Sequence, residues 1–501
     1  MKTDQTQLRH SNLIALLVSL VAVLSVFWIS ENVYERIPHW EDAFAYIWQA
    51  QVFAHGQAFL QSPPHPKMLV VPFVVDYHGL RFSKYPPGFS LLLALGILTG
   101  TTSWVNPILA GLSTWLTFRL GQKIFDDFTA LLAIGLMVTS PFFLLHSAEI
   151  GSHAWSLVLC LFLTIAWLDL FFESNKASNS VNTPAWIKVC VAGLSLGLLA
   201  LTRPLTAIGV CIPFFIHGLT LLWREKCVIR KQVLSIGLIA IIIAAILPLW
   251  QYLLTGNPFQ NLYALWWGYD QIGFGEGIGT QPGGYNNLFW VINNLGLNLI
   301  AASYDLFGWR GLSWLFIPFG LWSVRGNKLV EPVIGILIGL MLVYTLYWFG
   351  DVRYYYEGLI CACLLSAAGI IRLTNQSKKH GVWTAIIPFL TLSLIGYNLT
   401  TYLPTHFNSM RNIYQINRAQ QAPFKTVGAL AQTPALVIVH TYKWTDCAGL
   451  LPLQDPWLTT PFIFACDLSN STETIGANDY PGRRILHYYP DKMEILSTPK
   501  E

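Results

Sequence analysis

Apolar runs of about twenty residues recur along most of the chain, divided by short polar stretches, and each is the length a helix needs to cross a bilayer. The first covers 12–30. Later runs fall at 103–121, 128–146, 152–172, 185–201, 204–223, 233–254, 310–324, 331–349, 354–373 and 382–403. The pattern predicts about eleven spans. Two further apolar stretches, 88–100 and 287–308, read as interfacial or re-entrant helices, or as spans that raise the total to about thirteen. Two regions break the pattern. Residues 31–87 form a loop of polar and aromatic residues, and 404–501 form a polar tail.

The tail carries short apolar runs, Ala435–Val439, Pro461–Ala465 and Arg484–Tyr488, separated by Pro and Asp/Asn clusters. Such runs predict buried strands of a small α/β domain. The expected fold class is therefore an α-helical polytopic membrane protein with a small extracytoplasmic α/β domain, divided into residues 1–403 and 404–501.

Composition agrees. The 501 residues are 54% hydrophobic and only 11% charged, against about 25% charged in soluble domains. Mean hydropathy is +0.48. A net charge of +4 does not point to nucleic acid. The basic residues lie in short loops and set topology instead. Lys2 and Arg9 precede the first span. Arg119 and Lys123, Lys176 and Lys188, the cluster Arg224, Lys226, Arg230 and Lys231, Arg325 and Lys328, and Arg372, Lys378 and Lys379 follow in later loops. With these loops inside, the N-terminus is inside and the C-terminus outside. The 31–87 loop, Glu149 to His153, Arg203, the glycine-rich loop 255–286, Asp351 with Arg353, and the tail then share the outer side. The eight cysteines contain no CxxC pair. Cys447 and Cys466 lie in the tail and are candidates for a disulfide, which sequence alone does not settle. Asn398-Leu399-Thr400 and Asn470-Ser471-Thr472 are glycosylation-type triplets that also arise by chance.

Candidate chemistry gathers on that outer side. Glu41 and Asp42 open a stretch with helical periodicity running to His55. Adjacent carboxylates do not share a helix face, so one is expected to face a site, where it can take a proton from a hydroxyl; both also suit a helix start. Lys84 precedes Tyr85-Pro86-Pro87-Gly88 and either snorkels or meets a lipid phosphate. Glu149 and His153 are four apart and read as one helix face, suited to a metal ligand pair, a proton relay or a structural pair. Arg203 and Arg353 sit at span boundaries, where a guanidinium pairs with a carboxylate or binds phosphate oxygens. For Arg353 the nearby Asp351 is the structural alternative.

Asp42-Ala43-Phe44-Ala45-Tyr46, Ser83-Lys84-Tyr85-Pro86-Pro87-Gly88, Leu201-Thr202-Arg203-Pro204 and Arg353-Tyr354, in that order, resemble the GT-C membrane glycosyltransferases. The protein O-mannosyltransferase and aminoarabinose-transferase type is the most similar branch. The resemblance covers residues 1–403 and implies a sugar carried on a polyprenyl phosphate as donor and a hydroxyl on a lipid, glycan or protein as acceptor. It implies hexosyl or pentosyl transfer with Asp42 as general base and Glu41 beside it, and Lys84, Arg203, Arg353 and Tyr354 at the donor phosphate. Where the family often has an aspartate at the start of the fourth span, this chain has His153, with Glu149 one turn earlier. They are candidates for substrate or a divalent metal, with no cofactor certain. The expected location is a bacterial plasma (inner) membrane, with site and C-terminus extracytoplasmic. The competing class is a transporter or flippase of lipid-linked sugars. It needs the cations but no general base, and usually shows paired repeats and midplane polar residues. An assembly subunit that only binds the lipid-linked sugar is a third reading.

Overall fold

A computed structural model describes residues 2–172, 183–377, 383–411, 413–468 and 479–497. The sequence features at Lys176, at Lys378 with Lys379, and at Asn470-Ser471-Thr472 lie outside them. The protein is an integral multi-pass membrane protein. Among the described residues, seven helices are long and apolar enough to cross a bilayer: Arg9–Asn32, His153–Phe171, Ala185–Thr202, Pro204–Arg224, Cys227–Thr255, Val352–Gln376 and Ala385–Gln415. The pair Asp127–Thr139 and Pro141–Ala148 is long and apolar enough only when taken together, and it is bent by 60° at its break, as a broken span or a re-entrant loop is. Ser140 sets the bend: its hydroxyl accepts from the Phe143 N–H and caps the second helix, while Pro141 has no N–H to continue the first.

Three expected spans turn out differently. Residues 103–121 form Thr102–Ile124, a long helix carrying buried Asn106, Ser113, Thr114 and Thr117. The 310–324 stretch yields only Ile317–Ser323, because Gly308 and Gly311, with Arg310 between them, adopt left-handed backbone just before it. The 331–349 stretch is helical only over Glu331–Tyr344, 14 residues or about 21 Å. Its last residues leave the helix because Tyr347 and Trp348 bond to Asp270 in the glycine-rich loop, at 2.6 and 3.2 Å. Pro87–Leu98, at 12 residues, is too short to cross. Leu288–Asp305 is one continuous helix of 18 residues, whose apolar run is broken by Asn293, Asn294 and Asn298.

The chain divides into two compact units that alternate along the sequence. The first comprises 1–27, 104–250 and 267–406. It is a helical bundle built on close backbone approach. Gly335 and Gly339, one turn apart, face Pro213 and Gly209 of Pro204–Arg224. Small residues let helix backbones meet where lipid supplies no hydrophobic drive. Asn398 is buried here, its amide donating to the Thr139 carbonyl at 2.6 Å, so this triplet is not presented as a glycosylation site.

The second unit comprises 28–103, 251–266 and 407–501. Helix Glu41–Ala54 packs on Pro87–Leu98 and on a small antiparallel sheet of β1 (Leu60–Gln61), β3 (Leu80–Ser83) and β2 (Val74–Tyr77), in that order. The tail forms the expected sheet. β4 (Ala435–His440) lies between β5 (Phe462–Asp467) and β6 (Arg484–Tyr489), parallel to both, and β7 (Glu494–Ser497) adds antiparallel. Val437 and Val439 pack with Phe424, Phe464 and Leu486 on one face, while Leu436, Ile463 and Ala465 meet Met68 and Leu69 on the other. Burial on both faces explains why β4 reads as a continuous apolar run. The Met68 carbonyl also accepts from the Cys466 N–H at 2.7 Å. Cys447 and Cys466 form the disulfide.

A methyl group on Gly339 would sit 2.1 Å from the Gly209 carbonyl oxygen. Gly339→Ala is expected to lose about 1–3 kcal/mol, read as a lower melting temperature in detergent. Gly237→Ala, in open space, should lose nothing.

Candidate active site

Each unit holds one cluster of the expected residues. In the second unit, Asp42 lies in the first turn of Glu41–Ala54, where the helix dipole favours a carboxylate. Successive residues point some 100° apart, so Asp42 turns toward Tyr85 while Glu41 points elsewhere. The Tyr85 hydroxyl donates to Asp42 Oδ1 at 2.7 Å. Tyr46, one turn after Asp42, stacks on the Tyr85 ring at 4.6 Å. Gln49, fully buried, ties this helix to the sheet: its Oε1 accepts from the Ser83 N–H at 3.0 Å and its Nε2 donates to the Ala58 carbonyl at 2.9 Å. Burial, followed by the Asp42 carboxylate, raises the Tyr85 phenol well above its ordinary value, so it stays a donor through the neutral range.

Lys84 follows β3 and is 3% exposed. It does not snorkel. Its Nζ lies 3.5 Å from the centroid of Phe73, 5.1 Å from Tyr263 and 5.4 Å from Tyr85. These rings hold the ammonium by their negative faces. Phe73 adopts a left-handed φ of 59°, and its carbonyl accepts from the Lys84 N–H at 3.0 Å. A strained backbone held this way fixes the ring under the cation. Pro87 begins Pro87–Leu98 just beyond, where its missing N–H costs nothing.

The first unit holds the second cluster. Arg203 caps the end of Ala185–Thr202 and precedes Pro204, which starts the next helix. Its Nη1 is 2.6 Å from His153 Nδ1 and 3.4 Å from Glu357 Oε1. An arginine has only donors, so the His153 Nδ1 accepts and that ring carries its proton on Nε2. Ser156 donates to the same Glu357 oxygen. Glu357 is fully buried and Arg203 is 9% exposed.

Glu149 and His153 do not share a helix face. Glu149 caps the end of Pro141–Ala148, and His153 begins the following helix after a turn. The i,i+4 inference needs an unbroken helix, and Ile150–Ser152 break it. Asn106 binds the turn by donating to the carbonyls of Glu149 and Gly151.

Arg353 pairs with Asp351 through Nε at 2.9 Å and Nη2 at 2.7 Å, and its N–H donates to the same carboxylate at 2.9 Å. Burial pushes the Asp351 carboxyl up, but Arg353 outweighs it and the net shift is downward. Tyr354 stacks on Tyr344 at 4.7 Å with an interplanar angle of 3°. Among the described residues, no group of three or more His, Cys, Asp and Glu could hold a metal ion.

Tyr85, Phe73, Tyr263 and Glu357 complete these clusters, and none stands out from spacing. Glu357 had a usable signal: a carboxylate inside an apolar span must find a cation. Phe73 and Tyr263 had none, since 190 positions separate them in the chain.

No protein-family model matches the chain, and no characterised protein matches it by sequence. Solved structures do match. ArnT from Cupriavidus metallidurans bound to undecaprenyl phosphate aligns over 89% of this chain and 85% of its own, with a TM-score of 0.56 and 13% identity. The apo form of that protein aligns over the same shares, with a TM-score of 0.53 and 12% identity. The fold is GT-C. ArnT is an aminoarabinose transferase of that superfamily, so the resemblance in the sequence motifs holds at the level of fold. The archaeal oligosaccharyltransferase AglB from Archaeoglobus fulgidus, in complex with an inhibitory peptide and a dolichol-phosphate, is less similar, with a TM-score of 0.49, 14% identity and cover of 89% of this chain and 64% of that one.

Removing the Glu357 charge would leave Arg203 buried beside a neutral partner. Glu357→Gln is expected to destabilise the protein by about 3 kcal/mol or more, measured by thermal unfolding in detergent. A carboxyl lowered in the folded state stabilises above its unfolded value, and that contribution is lost as pH falls through the folded value. The stability gap between the wild type and Asp351→Asn should therefore be full near about pH 6 and shrink below about pH 4. Parallel melting curves across that range check it.

Proposed function

We propose that the protein is a glycosyltransferase that moves a sugar from a polyprenyl-phosphate donor to a hydroxyl acceptor. The GT-C fold supports the class, as does the binding of undecaprenyl phosphate by the similar ArnT structure. The observation that carries the reading for this chain is the Asp42–Tyr85 pair beside the ring-held Lys84. It combines an oriented carboxylate with a buried cation.

The chemistry is a single displacement. The acceptor oxygen attacks the anomeric carbon while the bond from that carbon to the phosphate oxygen breaks. The acceptor proton passes to Asp42, and polyprenyl phosphate leaves. One displacement inverts the anomeric configuration. Tyr85 occupies Oδ1, which directs Oδ2 to the acceptor hydroxyl. Glu41 contributes negative charge at the helix start. Lys84 neutralises charge that develops on the leaving phosphate, the kind of electrostatic help that dominates such reactions. Arg203 and Arg353 serve the donor phosphate by exchanging Glu357 and Asp351 for phosphate oxygens, with Tyr354 beside them. His153 and Glu149 act on substrate, His153 through its hold on Arg203. A divalent metal would add charge neutralisation; the described residues hold no ready-made group for it.

Sugar class, hexosyl or pentosyl, follows from donor trials. A bacterial plasma-membrane setting with the site outside is supported by the basic loops and by the Cys447–Cys466 disulfide, since such bonds persist in oxidising compartments.

Purified protein in detergent, given a panel of polyprenyl-phosphate sugars and hydroxyl acceptors, should transfer sugar with inversion. Asp42→Asn should lose about 10²–10⁴-fold in rate while keeping its melting temperature. Donor binding without transfer by wild type would shift the reading to transport or assembly.

A further inference from the structure

The helix Val352–Gln376 carries charge at both ends. Arg353 at its start belongs to the candidate site. Arg372, about 30 Å further along, was read from the sequence only as one of the basic residues that set topology, and it lies outside the candidate site. It lines a cavity of about 430 Å³ with Asp126, Thr129, Ser323, Asn375 and Gln376. The cavity lies where Thr102–Ile124 ends and Asp127–Thr139 begins, beside the end of Ile317–Ser323. In the chain Asp126 follows Arg119 and Lys123, Ser323 precedes Arg325 and Lys328, and Gln376 precedes Lys378 and Lys379, the basic loops expected at the cytoplasmic surface.

Arg372 is prepared for a ligand. Its guanidinium lies 4.0 Å from the centroid of the Trp322 ring, which fixes the plane of the fork. Its Nε is buried and has no hydrogen-bond partner among the described residues. A buried donor without a partner is costly, and a planar fork of donors suits phosphate oxygens. Asp126 supplies the opposite charge on the same wall. Its carboxylate accepts from the Thr129 N–H at 2.9 Å and from the Thr129 hydroxyl at 3.0 Å, which fixes its position. A site with one guanidinium and one carboxylate disfavours a bare dianion and suits a phosphate linked to a cation.

We propose that this cavity binds the headgroup of a zwitterionic phospholipid from the leaflet opposite the Arg353 end of this helix, with Arg372 on the phosphate and Asp126 toward a primary ammonium. Asn375 and Gln376 offer neutral hydrogen bonds at the rim. The volume accommodates such a headgroup but is small for a folded partner segment. The site is independent of the proposed sugar transfer.

Native mass spectrometry of the full chain released from nanodiscs tests this. The discs are phosphatidylcholine doped with either phosphatidylethanolamine or phosphatidylglycerol. Wild type is expected to retain phosphatidylethanolamine in preference to phosphatidylglycerol. Arg372→Gln should lower that retention about tenfold, the worth of one charge-assisted hydrogen bond, and Arg372→Lys should restore part of it. Asn375→Trp, at an exposed position on the rim, should block retention while leaving Arg372 and the bundle intact. A third arm offers inorganic phosphate to delipidated protein. Equal retention by Arg372→Gln or Asn375→Trp and wild type overturns the site. Preference for phosphatidylglycerol, or Arg372-dependent capture of free phosphate without lipid retention, overturns the headgroup assignment.

Discussion

A charge taken out of water into hydrocarbon costs several kcal/mol unless a partner meets it. That constraint arranges the functional parts of this protein. Arg203 is met by Glu357 and the lone pair of His153, and Arg353 by Asp351. Lys84 is held against aromatic faces. Each solution fixes a cation at one position. On the proposed function, the same side chains that satisfy the desolvation constraint also preorganise charge for the donor phosphate, an ion that such cations recognise.

The backbone obeys a parallel constraint. A helix end in an apolar setting must satisfy its free amides and carbonyls. Ser140 does so at the bend between Asp127–Thr139 and Pro141–Ala148, and Asn106 at the Glu149 turn. These turns decide where Glu149 and His153 point. The short helix Glu331–Tyr344 ends early for the same reason, because Asp270 draws Tyr347 and Trp348 into hydrogen bonds outside it. Polar groups, rather than the apolar runs, thus decide where the regular structure stops.

Hydropathy and the distribution of basic residues are one-dimensional properties, so the sequence by itself determined the membrane class, the positions of the seven long apolar helices and the strands of the tail. Asp42 and Lys84 were legible for a similar reason: charged residues are conspicuous in a chain that is only 11% charged. The tertiary structure alone decided their partners. Tyr263 joins Lys84 from a distant segment, and Glu357 meets Arg203 across 154 positions. It also separated Glu149 from His153, which spacing had placed on one face, and grouped the tail with 28–103 and 251–266 in one compact unit. Periodicity reports which face of an element is apolar. It carries no record of which distant side chain satisfies a buried charge or a helix end, because those pairings form only when the elements pack.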